Sequence, residues 1–178
     1  NNLLFVVIFS TIDNYYSLSL SYKNISFIEF LIPGLIIMTV VQESYEHSSN
    51  FLINMKQIGS FEDFLMAPIS RFEIFISFLL SSLIIGLLLC IVNFLVLSLF
   101  VELKIFSTLF FIYFSSLAII FFSCLGCSVG ILAFSWDTQS TISNFFVVPI
   151  NFLSGTFFSI QVLPDNFKFL FYYNPYYY

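Results

Sequence analysis

Charge is what this chain has least of. Only 8% of its 178 residues are Asp, Glu, Lys or Arg, where a soluble domain carries about a quarter. That scarcity excludes an ordinary water-facing globular surface. Basic residues number five against ten acidic ones. They form no cluster, which excludes a nucleic-acid-binding face. Histidine occurs once, too few for a two-histidine metal-binding helix or a histidine-based catalytic cluster. The three cysteines, Cys90, Cys124 and Cys127, all fall within apolar runs. Cys124-Leu125-Gly126-Cys127 has CxxC spacing but lacks a second ligand pair and βαβ surroundings, so it reads as small residues packed between helices. Residues 1–12 lack the basic start and small-residue cleavage site of a signal peptide. No metal or cofactor is expected.

What fills the chain is apolar surface: 60% of it is hydrophobic and 21% aromatic. The runs are too long for the core of a globular domain and long enough to cross a bilayer. The expected class is therefore an all-α, polytopic membrane protein whose surroundings include membrane lipid.

The runs predict the following order. Residues 3–12 are the tail of a first span. Residues 13–24 form a polar loop with interfacial tyrosines. Residues 25–41 are a second span with Glu29 near its start and a kink at Pro33. Residues 42–54 continue it as a polar, solvated extension. Glu43, Glu46 and His47 lie close together there, but a metal site fails for want of a second histidine. Residues 74–101 are a third span, in which Asn93 is the strongly polar residue and is expected to hydrogen-bond a neighbouring helix. Glu102-Leu103-Lys104 is a tight turn. Residues 105–136 are a fourth span. Its Gly126 and Gly130 form a GxxxG face, extended by Ser123 and Cys127, that lets another helix approach closely. Asp137-Thr138-Gln139 is a second polar turn. Residues 138–154 are a fifth span with a kink at Pro149. Beyond it Gly155 breaks the helix, 156–163 is too short to cross again, Pro164 opens a short helix, and Asn174-Pro175 closes it. The end of the chain thus reads as broken helices dipping back at one surface.

One polar island interrupts this pattern. Residues 59–73 hold four of the fifteen charged side chains. Ser60-Phe61-Glu62-Asp63 has the form of a capping box, with the Ser60 hydroxyl on the Asp63 amide. Phe61, Phe64 and Leu65 share one face, opposite Glu62 and Asp63. Pro68 ends this helix after about two turns by disfavouring the α conformation at Ala67. Ser70-Arg71-Phe72-Glu73 is a second capping box and opens the third span. Such a short amphipathic helix, Ser60 to Ala67 with Met66 in its last turn, needs something to bury its apolar face. Two readings stand: a surface strut that keeps two spans in register, or an element that docks on a partner.

Three segments resemble the ABC-2 type permeases, the membrane subunits of ATP-binding-cassette exporters. Phe30-Leu31-Ile32-Pro33-Gly34-Leu35-Ile36 with Ser44-Tyr45 is similar to the family's second span. Ile58-Gly59-Ser60-Phe61-Glu62-Asp63-Phe64-Leu65-Met66-Ala67-Pro68-Ile69-Ser70 is similar to its cytosolic segment, with Ser60 where Thr is commoner. Leu153-Ser154-Gly155-Thr156-Phe157-Phe158-Ser159, Leu163-Pro164 and Asn174-Pro175-Tyr176-Tyr177 resembles its hallmark near the last span. The resemblance implies a single ABC-2, type V exporter-like transmembrane domain over 1–178, lacking the start of the first span and a sixth span. It implies that residues 60–67 are a cytosolic coupling helix docking on a separate ATP-binding-cassette ATPase subunit, with Glu62 and Asp63 facing basic groups. It implies that Gly155, Phe158, Leu163, Pro164, Asn174 and Pro175 belong to an outer re-entrant motif. It also implies a second permease copy, as homodimer or heterodimer, in the cell's inner or plasma membrane. The few basic residues do not set this orientation by charge; the resemblance does. No GxxxxGK[ST] is present, so ATP hydrolysis belongs to the partner. The alternative is a secondary transporter or other polytopic protein without an ATPase. Such transporters bury ionisable residues for ion coupling, and here Glu29 alone lies near a span. A membrane-embedded enzyme has no catalytic cluster to draw on.

Overall fold

The computed structural model describes residues 2, 4–8, 19–20, 25–100 and 108–152, with the backbone alone for 19–20, 25–30 and Phe64. The described chain is all-α apart from a short antiparallel pair, Ser19–Leu20 with Ile25–Ser26. Residues 4–8 are helical (α1). The second span was expected from Ile25; instead Ile25 and Ser26 pair with the preceding strand, and α2 (Phe27–Ile58) begins after them.

α2 runs for 32 residues with Pro33 inside it, about 48 Å at helical rise and well beyond a ~30 Å hydrocarbon core. It is the centre of the molecule, packing most extensively on α5 (Thr108–Leu132) and next on α4 (Arg71–Ser98). Leu31, Ile32, Leu35, Ile36 and Val40 form the core with Cys90 of α4 and Ile119 of α5. Val41 and Tyr45 continue it against Phe122 and Val147.

The expected solvated extension at 42–54 is corrected here. Ser44, Tyr45, Ser48, Ser49, Leu52 and Ile53 are all buried. The serines turn their hydroxyls back onto their own helix: Ser44 to the Val40 carbonyl (2.6 Å), Ser48 to Ser44 (3.0 Å), Ser49 to Tyr45 (3.0 Å). A side chain satisfied within its helix has no need of water, so this polar sequence is compatible with a packed interface.

α4 and α5 are long and apolar enough to cross a membrane. Leu80, Ile84, Leu88, Ile91 and Leu95 stand exposed along one face of α4, and Phe110, Phe114, Leu117, Phe121 and Leu125 along α5. Exposed apolar stripes of that length suit lipid, not water. α5 stops at Leu132, short of the expected Trp136. Ser135 caps a new helix, α6 (Trp136–Ile142), by accepting from the Thr138 amide (3.3 Å). Asp137, Thr138 and Gln139 are thus the first turn of a helix, not a polar turn; the break falls at 133–135 because Ser135 offers the cap. A π-helical stretch (Ser143–Val147) and α7 (Val148–Phe152) continue α6. The kink expected at Pro149 takes the form of this register change. The Val148 amide bonds five residues back to Ser143, immediately before a residue that has no amide to give. The predicted turn at Glu102-Leu103-Lys104 lies outside the described residues.

Candidate functional site: the elbow between α2, α3 and α4

The polar island folds as a compact elbow. Gly59 sits in the left-handed region (φ 80°) and its amide bonds back to the Lys56 carbonyl (3.3 Å), closing α2. The same residue starts α3 (Ser60–Met66). The first capping box is therefore corrected. Gly59 is the N-cap, it makes no side-chain cap, and the Ser60 hydroxyl donates to the Met55 carbonyl (3.4 Å). A capping serine must be extended; with one residue joining two helices, Ser60 is already helical. α3 ends where Pro68 requires, with Ala67 extended (ψ 144°). The second box is present in full: the Ser70 amide and hydroxyl both donate to the Glu73 carboxylate (2.9 and 2.8 Å), and Ser70 Oγ accepts from the Glu73 amide (3.3 Å).

α3 turns part of its apolar face toward its own chain. Phe61 and Leu65 line a cleft of about 190 Å³ whose floor is Leu52 of α2 and Cys127 of α5, with Phe78 and Arg71 of α4 beyond. Glu62, Asp63 and Met66 face outward, Met66 being 77% exposed.

A lysine ties the elbow to the rest of the molecule. Lys56 Nζ donates to the carbonyls of Gly130 (2.8 Å), Ile131 and Ala133 (3.1 Å). These carbonyls lie in and just after the last turn of α5, where a helix presents unpaired acceptors and the negative end of its dipole. The ammonium also lies over the rings of Phe61 (5.9 Å) and Phe134 (5.1 Å), within the range of a cation–π contact. Desolvation in this junction pulls its pKa below the ordinary lysine value. Beside it, Trp136 Nε1 donates to Gln57 Oε1, and deeper in, Gln139 Nε2 donates to Ser49 Oγ (3.2 Å). Lys56, Gln57 and Trp136 were not singled out in the sequence. A basic residue in the last turn of α2 looks like a complement to its own helix dipole; its actual partners lie more than 70 residues away.

Gly126 and Gly130 lie against α2. A Cβ on Gly126 would collide with the Tyr45 carbonyl oxygen and meet Ser48 Cβ at 3.1 Å; one on Gly130 would meet the Ser49 carbonyl oxygen and Leu52 Cβ, each at 3.0 Å. Ser48 Oγ bonds Ser82 Oγ of α4 (2.7 Å) in the same layer. Asn93 bonds across helices as expected: its Oδ1 accepts from Asn2 (2.9 Å), whose own Oδ1 accepts from Thr39 (2.8 Å). His47 lies 3.4 Å from the Ser81 hydroxyl. The outer motif from Gly155 to Pro175 lies outside the described residues.

Comparison with known proteins gives the family. A family described as ABC-2 type transporter matches residues 1–178. The inner membrane transport permease YadH of Escherichia coli K12 is 28% identical over 150 residues, covering 84% of this chain and 59% of that protein. The permease of the same name from Shigella flexneri matches to the same extent. The chain therefore spans about three-fifths of the length of the curated relatives it matches. No solved structure matches it. With two helices long and apolar enough to cross a membrane and the family match over its whole length, the chain is an integral membrane protein and belongs to the ABC-2 type transporter family.

Proposed function

We propose that this chain is the transmembrane permease subunit of an ATP-binding-cassette exporter, which moves an amphipathic or lipid-linked substrate with ATP hydrolysed by a separate subunit. The observation that carries the reading is the elbow. A seven-residue helix is held between two long helices by a single glycine on one side and a short capped link on the other. Such a helix moves as a unit, and force applied to it reaches α4 through the Ser70–Glu73 box. It reaches α5 through Lys56, which touches Phe61 and the α5 carbonyls together.

In this reading residues 58–73 face the cytosol and the ATPase seats on α3. Phe61 is engaged by the chain's own Lys56, so the outward docking edge consists of Glu62, Asp63 and Met66, and Phe64, which the sequence pattern assigns to the apolar face, is the aromatic expected to meet the partner. The permease works as a pair around a pathway lined by α2 and α6–α7, and Gly155, Phe158, Leu163, Pro164, Asn174 and Pro175 belong to outer broken helices. The whole of 1–178 is one transmembrane domain, and the permease itself hydrolyses nothing.

Copurification of an ATP-binding-cassette subunit with the full-length permease tests this. Joint reversal of Glu62 and Asp63 to Lys is expected to cut recovery of the ATPase by about tenfold or more through lost charge complementarity. Phe64→Ala should weaken the complex by roughly tenfold to a hundredfold, the cost of an unburied aromatic. Full recovery of the partner and unchanged ATP-driven transport in both variants would reduce α3 to a strut.

A further inference from the structure

The cleft beneath α3 is apolar throughout except at its mouth. Leu52, Cys127, Phe61, Leu65 and Phe78 line it, and Arg71 is its sole charged lining residue among the described residues. Arg71 is the first residue of α4 and Phe78 lies seven positions further in, a rise of about 10 Å. The interfacial layer of a membrane is only about 5–8 Å thick on each side. With Arg71 at headgroup level, Phe78 lies below that layer, in hydrocarbon. Water gains nothing in a site so poor in polar partners. A groove of a soluble partner does not reach that depth without entering lipid.

The charges around the mouth point the same way. Glu73, the acid nearest Arg71 along the chain, is occupied by Ser70, whose amide and hydroxyl both donate to its Oε2. A guanidinium at headgroup level matches a phosphate with paired, charge-assisted hydrogen bonds.

We propose that this cleft seats the headgroup-proximal part of one acyl chain of an anionic phospholipid from the same leaflet, with Arg71 holding its phosphate. The lipid fills the space between α3 and the start of α4 and acts as a wedge in the elbow. The inference needs only the cleft and the membrane, and it stands as long as an ATPase docked on α3 leaves the cleft to the lipid.

Native mass spectrometry of the full-length permease in mild detergent, supplied with phosphatidylglycerol or phosphatidylcholine of the same chain length, tests it. The wild type is expected to retain one phosphatidylglycerol through detergent exchange, preferred over phosphatidylcholine by about tenfold. Arg71→Gln should bring the two lipids to within about twofold of each other. Ile131→Trp, which narrows the same cleft from an exposed position on α5, should lose both. Leu88→Trp, on the exposed face of α4 away from the cleft, should behave as wild type. Equal retention of both lipids by the wild type, or an equal loss in Leu88→Trp, would leave only annular lipid and overturn the proposal. Displacement of the lipid mole for mole by an added ATPase subunit would overturn it as well, by making the cleft part of the docking surface.

Discussion

The seam between α2 and α5 and the elbow around α3 sit side by side, and they are built on opposite plans. The seam is closed. Gly126 and Gly130 bring α5 against the α2 backbone, the hydroxyls of Ser44 and Ser49 are satisfied within α2, and a Cβ has no room. The elbow is open. Gly59 there has nothing within 4 Å of the place a Cβ would occupy, and its role is its positive φ. Glycine thus serves close approach in one region and chain reversal in the other. A seam of this kind moves as one body, whereas an elbow held by one left-handed residue, one lysine and one capping box can be levered.

Gly126→Leu is the harshest test of the contrast. A branched side chain must displace the Tyr45 carbonyl and separate two backbones, at a cost of about 3 kcal/mol or more. Thermal unfolding of the purified full-length permease should show a large drop in midpoint together with poor expression. Wild-type stability would mean that the seam is loose after all.

Lys56→Met breaks the tie between the two regions while keeping the length of the side chain. The carbonyls it leaves behind lose a charged donor, which costs about 2 kcal/mol. The effect should be local. Hydrogen exchange should rise at Ala133, whose amide closes the end of α5 on the Val129 carbonyl (2.7 Å), and amides in the middle of α5 should stay protected. A uniform rise along the helix would instead mean that Lys56 supports the whole fold.

The two serines of the island offer the finest discrimination. Ser70→Ala removes a true cap and should lower stability by about 1 kcal/mol. Ser60→Ala removes a long bond to Met55 and should stay within ~0.5 kcal/mol. Both are readable in the same unfolding experiment, and equal effects would restore Ser60 as a cap.

Much of this was legible along the chain. The apolar runs foretold α4 and α5 to within a few residues, Pro68 foretold the end of α3, and Ser70 with Glu73 foretold the start of α4. GxxxG marked the face of α5 that meets another helix, and Asn93 announced a partner across helices. Other features were not legible. The serines of α2 looked like a solvated stretch, because polarity in a sequence does not reveal that a hydroxyl has bonded to its own helix. Ser60-Phe61-Glu62-Asp63 has the form of a box, yet Gly59 one position earlier had already used the turn. Lys56 carried no signal for Gly130 or Ala133.

By itself, then, the sequence determined the long apolar helices, the stop at Pro68, the start at Ser70 and that the long helices belong in lipid. Those outcomes depend on hydropathy over about 20 residues and on bonds that reach no further than the next turn. The tertiary structure alone decided that α2 is the buried centre, that Tyr45 and Ser48 receive Gly126, and that Lys56 closes α5 from across the molecule. Each of those outcomes needs two helices distant in sequence to meet at one depth and rotation, and only packing selects that.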